Sequence, residues 1–228
     1  EPLRCTEQPA AVLQAVVAYG ENGVNFDLTH RVDDERRLDW SPDDGEWTLY
    51  AVYQGWTKQQ VKRAAPGAEG NVMDYFSEAS LEHYLARFDE AFAKYDGRPP
   101  RAFYNDSYEV YNADWTEGFF DAFSDRRGYD LRPHLRELLG DGDDNTVARL
   151  RGDYNRTMGE LLLEEFTEPL RSWAAMHGSL LRNQAHGSPG NLLDLYAASH
   201  IPETEGFGPH GSEILMAKFA SSGARLGN

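Results

Sequence analysis

From Ser77 onward, short runs of β-branched, apolar and aromatic residues alternate with stretches of helical period, and this constrains the fold more than any other feature of the chain. A strand, a helix and a second strand in series favour parallel pairing, with the helix covering one face of the sheet. Leu81, Tyr84, Leu85, Phe88 and Phe92 share one face of a helix that Ser77 can cap. Gly97-Arg98-Pro99-Pro100 then breaks the chain, and residues 101–106 read as a strand ending in Asn105 and Asp106. Helices are expected over 115–124 and 131–139, and a longer one over 146–176, kinked or split by Pro169. Residues 179–185 read as the next strand. Ser188 and Pro189 are the expected cap and first-turn proline of a helix through Ala198. A short strand over 201–205 and a last helix over 212–222 complete the pattern.

The N-terminal part has a different rhythm. Residues 12–19 and 49–54 read as strands, with Asp43-Asp44-Gly45 marking a turn between them. The expected fold class is therefore α/β: a mostly extended N-terminal segment, residues 1–60, leads into part of a (β/α)8 TIM-type barrel, residues 61–228. A complete barrel takes about 250 residues, and only roughly three or four strand–helix units follow the extended segment, so the expected barrel is truncated at its C-terminal side. The chain also starts without Met and stops straight after a helix, as a fragment would.

Charge narrows the partners. With 38 acidic against 22 basic residues, the formal charge is −16, which repels phosphate backbones and anionic lipid surfaces. Neither nucleic acid nor membrane is an expected partner. No apolar run approaches the roughly 20 residues of a membrane span, and residues 1–5 lack the basic and apolar regions of a secretory leader. A single cysteine, Cys5, excludes an internal disulfide and a cysteine-based zinc cage.

In parallel α/β folds the loops after the strands are free to vary while the strands hold position, so chemistry collects at strand ends. Three polar clusters fall there: Asn105, Asp106 and Glu109; Asn183, Gln184 and His186; and Glu203 with Glu205. Paired carboxylates can hydrolyse a glycosidic bond, one donating a proton to the leaving oxygen and the other activating water or attacking directly. Glu109 with Glu203 or Glu205 meets that need, although any one carboxylate among 38 can equally cap a helix or form a salt bridge. Asn183 and Gln184 suit sugar hydroxyls, but adjacent strand residues face opposite ways, so only one should face a given ligand. His186 can orient a hydroxyl, and Trp40, Trp47, Trp56 and Trp115 include candidate stacking platforms for a sugar ring.

Other patterns fail. Gly206-Phe207-Gly208-Pro209-His210-Gly211 has dinucleotide-fingerprint spacing, but Pro209 stiffens the turn and Glu203 and Glu205 would repel a pyrophosphate. At His186-Gly187-Ser188-Pro189-Gly190 a histidine replaces the first glycine of a nucleophile elbow. Asp141, Asp143 and Asn145 begin a calcium-loop pattern, but Thr146 replaces its turn glycine and Gly152 its bidentate glutamate.

Several of these words, in this order, resemble glycoside hydrolase family 106, the α-L-rhamnosidases. They are Tyr104-Asn105-Asp106-Ser107-Tyr108-Glu109, Asp114-Trp115-Thr116, Arg126-Arg127-Gly128-Tyr129-Asp130-Leu131, His177-Gly178, Arg182-Asn183-Gln184-Ala185-His186-Gly187 and Ile201-Pro202-Glu203-Thr204-Glu205. The resemblance implies a (β/α)8 catalytic barrel that removes terminal α-L-rhamnose from plant or microbial glycans with inversion, aided by Ca2+. It implies Glu109 as general acid and Glu203 or Glu205 as a further essential carboxylate, serving as base or calcium ligand; the candidate substrate contacts read from the strand-end clusters and aromatic residues are Asn105, Asp106, Trp115, Asn183, Gln184 and His186. It also implies a periplasmic or extracellular setting, and a further essential glutamate beyond residue 228, so that this piece alone is expected to be poorly active. A non-catalytic carbohydrate-binding piece, or a glycosidase or lyase acting on another deoxy sugar or a uronic acid, are the alternatives.

Overall fold

The computed structural model describes residues 2–21, 23–42, 44–205 and 210–227. The elements, in chain order, are β1 (Val12–Gly20), β2 (Asn25–Asp27), β3 (Trp47–Gln54), α1 (Glu78–Phe92), β4 (Ala102–Asn105), α2 (Phe119–Arg127), α3 (Leu135–Leu139), α4 (Asp144–Leu161), a π-helical segment (Leu162–Thr167), α5 (Glu168–Met176), β5 (Leu180–Gln184), α6 (Leu192–Ala197), β6 (Ile201–Glu203) and α7 (His210–Leu226). The fold is mixed α/β, with two three-stranded sheets. No closed barrel is seen among the described residues. Compactness divides the chain into Glu1–Thr57 with Trp115–Tyr154, and Lys58–Asp114 with Asn155–Asn228. In this division residues 115–154 group with residues 1–57.

In the first unit an antiparallel sheet runs β2-β1-β3. β1 is buried on both faces from Ala15 to Gly20, which is why it reads as an unbroken apolar run. Val16 and Ala18 pack with Leu28, against which Val32, Leu38, Trp40 and Trp47 lie. On the alternate side, the Tyr19 hydroxyl donates to the Arg132 carbonyl (2.5 Å) and accepts from the Leu135 backbone N–H (3.1 Å). Burial pushes that phenol up to about 12. Phe119, Phe120 and Phe123 bury one side of α2, and Arg132 lies over the Phe120 ring at 4.4 Å. α2 starts at Phe119, four residues later than expected, behind a left-handed Gly118. Asp143, just ahead of α4, accepts from the Thr146 N–H at 3.0 Å, and the Thr146 hydrogen bonds hold its carboxyl below the usual range. The abortive calcium loop is thus a helix cap.

In the second unit the sheet is parallel, ordered β4-β5-β6. The Ser77 hydroxyl caps α1 by accepting from Ser80 N–H at 3.3 Å, as expected. The long helix is interrupted where Pro169 stands. Proline has no N–H, and its ring needs room at the carbonyl four residues back; the π segment Leu162–Thr167 ends just before it and widens the turn there. Trp173 of α5 packs on Phe103 of β4 at 4.6 Å and donates its indole N–H to Asp89 of α1 at 2.8 Å. The same Asp89 oxygen meets His177 Nε2 at 2.9 Å, so one carboxylate ties the end of α5 to α1. Leu181 of β5 donates its backbone N–H to His200 Nδ1 at 3.0 Å.

Three expectations are corrected. Asn191, not Ser188, caps α6, accepting from the Leu193 N–H at 3.1 Å, while the Ser188 hydroxyl is buried without a partner among the described residues. β6 ends at Glu203, so Glu205 lies beyond it. The last helix runs from His210 to Leu226, longer at both ends than expected. The 43–45 turn and the 206–211 glycine pattern fall partly outside the described residues. No helix among the described residues is long and apolar enough to cross a membrane.

Two outcomes follow from these contacts. Tyr19→Phe removes a hydroxyl that serves both a carbonyl and an N–H, so the unfolding free energy falls by about 1–3 kcal/mol, measured by denaturant titration. Burial first, and then Arg171, lowers the His200 pKa, so the imidazole is kept neutral in the fold. Its contribution is present above the ordinary value of 6.5 and lost as pH falls below it, because the unfolded chain takes up the proton first. His200→Asn keeps an acceptor for Leu181 but cannot titrate. The variant's melting temperature should therefore fall less than the parent's between neutral pH and pH 5, within the roughly pH 5–8 range in which histidine changes charge.

Candidate active site

The parallel sheet has two unlike faces. In register, Tyr104 pairs with Arg182, Arg182 with Ile201, and Gln184 with Glu203. Since side chains alternate, these residues share one face while Phe103, Leu181, Asn105 and Asn183 share the other. The second face carries Trp173 of α5 on Phe103. The first is polar and partly open, with Arg182 47 % and Glu203 24 % exposed at the side chain.

On the open face, Arg182 Nε donates to Glu203 Oε2 and Gln184 Nε2 donates to Glu203 Oε1 at 2.8 Å, so both carboxylate oxygens are taken. The Arg182 guanidinium lies 4.7 Å from the Tyr104 ring centre, and the Tyr104 hydroxyl donates to Asp106 at 3.1 Å. Burial, then Asp106, pushes the Tyr104 phenol up to about 12. The Arg182 hydrogen bond, opposed by burial and aided by Gln184, holds the Glu203 carboxyl below the usual range. Glu203 is therefore ionised at neutral pH and ill-suited to donate a proton. Gln184 is 2 % exposed, and its Oε1 has no partner among the described residues.

On the helix-covered face, Asn105 Nδ2 donates to Asn183 Oδ1 at 2.7 Å, and Asn183 Nδ2 to Ser199 Oγ at 3.1 Å. Asn183 is 3 % exposed. Its amide braces β4, β5 and the turn before β6 against one another, and it faces away from Gln184 as the pleat requires.

Beyond the strands, two loops meet. The Tyr108 N–H donates to the His186 carbonyl at 3.1 Å. Gly187, at φ +85°, lies where a Cβ would collide with the Tyr108 carbonyl, so glycine is needed for both conformation and approach. This stitch sets Glu109, next to Tyr108, on the loop beside His186, whose Nε2 is 3.8 Å from Glu205 Oε2. Glu109 is held at its backbone by Gln59, whose amide donates to the Glu109 carbonyl and accepts from the Tyr111 N–H at 2.8 Å. Its carboxylate lies 3.5 Å from Lys62 Nζ, with both side chains more than half exposed. Gln59, Lys62, Tyr104 and Arg182 are participants that the sequence reading passed over as roles. Trp115 belongs to the first unit, where its indole packs on Phe119 and Phe120 at 4.8 and 4.9 Å.

Calcium prefers six to eight oxygen ligands with several carboxylates. Both Glu203 oxygens already accept from cationic or amide donors, and no group of three or more acidic, histidine or cysteine side chains fit to hold a metal occurs among the described residues. The residues present do not fit a calcium centre at Glu203.

The chain belongs to glycoside hydrolase family 106, described as alpha-L-rhamnosidase, whose sequence pattern matches residues 7–194. A putative beta-glucuronidase of Formosa agariphila is 26% identical over 209 residues, covering 88% of this chain and 18% of that protein. The solved structure of a rhamnosidase from Novosphingobium sp. PP1Y shares the fold with a TM-score of 0.73 at 23% identity, over 88% of this chain and 21% of that one. The chain thus spans about a fifth of the length of these relatives.

The clamp on Glu203 can be tested by a double-mutant cycle. Arg182→Met and Glu203→Gln should each destabilise the protein modestly, and their effects should fall measurably short of additive, as for a hydrogen-bonded pair. Strict additivity in urea unfolding would show that the pair is uncoupled.

Proposed function

We propose that the chain forms part of the catalytic region of an inverting α-L-rhamnosidase, contributing three strands of a (β/α)8 barrel whose inner wall is the Tyr104–Arg182–Glu203 face. Helices on one face and a half-open charged layer on the other are what a barrel segment requires, since the inward residues at the carboxyl ends of the strands carry the chemistry.

The observation that carries the reading is the unequal state of the carboxylates. Glu203 is fixed and ionised between Arg182 and Gln184, while Glu109 and Glu205 stand on the loops after β4 and β6 with their carboxylates partly open. In this scheme Glu109 donates the proton to the leaving oxygen, which takes the place of Lys62 as its partner. Glu205, beside His186, activates water on the opposite side of the sugar. Glu203 stabilises the positive charge that grows on the ring, with Arg182 and Gln184 holding its orientation. An inverting pair stands about 6.5–9.5 Å apart to admit that water. The substrate is a terminal rhamnose on an oligosaccharide or polysaccharide outside the cytoplasm. A uronic acid is the alternative that the glucuronide arm of the test decides; the cation held within the sheet, Arg182, is already paired with Glu203. Calcium enters no step.

The test is release of L-rhamnose from an aryl α-L-rhamnoside by the full-length protein, with an aryl β-glucuronide run alongside and a chelator added in parallel. Glu109→Gln should nearly abolish turnover of substrates with poor leaving groups, by about 100-fold or more, while activated aryl glycosides lose less. Equal loss on both would remove the acid role from Glu109. Cleavage of the glucuronide alone would replace the sugar assignment.

A further inference from the structure

The first unit contains a second set of groups suited to a sugar. β1 carries small residues, Ala18 and Gly20, opposite Phe26 of β2 and Trp47 of β3. With no bulk between them the two rings meet over β1, centroids 5.5 Å apart and planes 27° from parallel. A Cβ on Gly20 would come within 3.1 Å of the Trp47 indole, so the glycine lets the ring lie low on the strand. Trp40 closes against Trp47 edge-on at 5.4 Å. The rings are fixed before any ligand arrives, and Phe26 remains 45% exposed.

They line a cleft of about 450 Å³ whose rim is polar. The Asp39 N–H donates to the Arg31 carbonyl at 2.9 Å, and Val32 and Leu38 form a bridge between them in the chain. Arg31 and Asp39 are thereby held as neighbours, yet neither exposed side chain has a partner among the described residues, and neither does that of His30. A guanidinium and a carboxylate on neighbouring residues, left unpaired, present donors and acceptors that hydroxyl groups can meet. An aromatic floor below them offers a face to the C–H side of a pyranose. The carboxylates Asp27 and Asp39 disfavour phosphate-bearing ligands.

We propose that this cleft, formed by Phe26, Trp40 and Trp47 with Arg31 and Asp39 at its rim, binds a neutral pyranose unit of a glycan chain. The sugar stacks on the rings, and its vicinal hydroxyls bridge the guanidinium and the carboxylate. The site performs no chemistry. It holds glycan, and it rests on the cleft alone, independently of the strand-end assignment.

The experiment uses the full-length protein carrying Glu109→Gln, so that bound glycan is not consumed. It is titrated by calorimetry and tryptophan fluorescence with neutral oligosaccharides containing rhamnose, glucose or galactose, and with 4-nitrophenol as an aromatic without a sugar. Arg31→Ala and Asp39→Ala change exposed side chains that make no hydrogen bond or ion pair among the described residues, so near-UV circular dichroism should match the parent. Each should weaken oligosaccharide binding about tenfold and remove the fluorescence change, while in the Glu109 background the same substitutions leave aryl-glycoside turnover unaltered. Phe26→Ala should weaken binding similarly. Unchanged affinity and fluorescence in folded Arg31→Ala and Asp39→Ala would overturn the proposal, as would binding of 4-nitrophenol as tight as that of the sugars, or no binding of any oligosaccharide. Failure of turnover with cleft binding intact would count against the strand-end reading only.

Discussion

The site depends on the one-sided covering of the β4-β5-β6 sheet. Parallel strands are ordinarily buried on both faces. Here Phe103 and Leu181 take the apolar side, under Trp173, and Asp89 fixes that helix by gripping both the Trp173 indole and His177. With the packing energy spent on one face, the other is free to carry charge. Arg182, Gln184 and Glu203 occupy positions that in a two-sided sheet would be leucine or valine. The Asn105–Asn183–Ser199 ladder then locks the strand ends on the covered side, so that the loops beyond them start from fixed points.

Electrostatics sorts the carboxylates from there. A chain with a formal charge of −16 has few cations to distribute, and two of its 22 are placed on glutamates at these strand ends. Arg182 and Lys62 do different work. The first is hydrogen-bonded, stacked on Tyr104 and partly shielded, and it fixes the Glu203 charge. The second is exposed, and a surface ion pair of that kind is worth roughly 0–1 kcal/mol. A pair that weak yields readily to another partner.

Much of this was legible in the sequence where the signal is local. The Ser77 cap, the strands around residues 102–105 and 180–184 and the break at Pro169 follow from period, capping chemistry and the missing proline N–H. The strand-end polar clusters were visible for the same reason. Three things were not. The grouping of residues 115–154 with the N-terminal strands rests on contacts such as Tyr19 with Arg132 and Leu135, more than 100 positions apart and without a shared motif. Asn191 outcompeted Ser188 as a cap because the chain turns into α6 only after Gly190, a matter of packing rather than residue preference. The pairing of Arg182 with Glu203 depends on register: shift β6 by one residue and Pro202 takes the place of Glu203 on the open face.

That last dependence shows why motif words alone left Glu203 and Glu205 interchangeable. They stand two residues apart within one word, Ile201-Pro202-Glu203-Thr204-Glu205, and both are glutamates. Strand geometry separates them. Glu203 is the last residue of β6, anchored in register to Gln184, and its orientation is inherited from the sheet. Glu205 has left the strand and owes its position to the loop and to His186, 3.8 Å away. A carboxylate inherited from a sheet is suited to constant electrostatic duty, because its surroundings cannot rearrange without unpairing the strand. A carboxylate on a loop can approach and withdraw from a water molecule at little cost. The structural distinction therefore precedes any assignment of roles and restricts which assignments are chemically sensible.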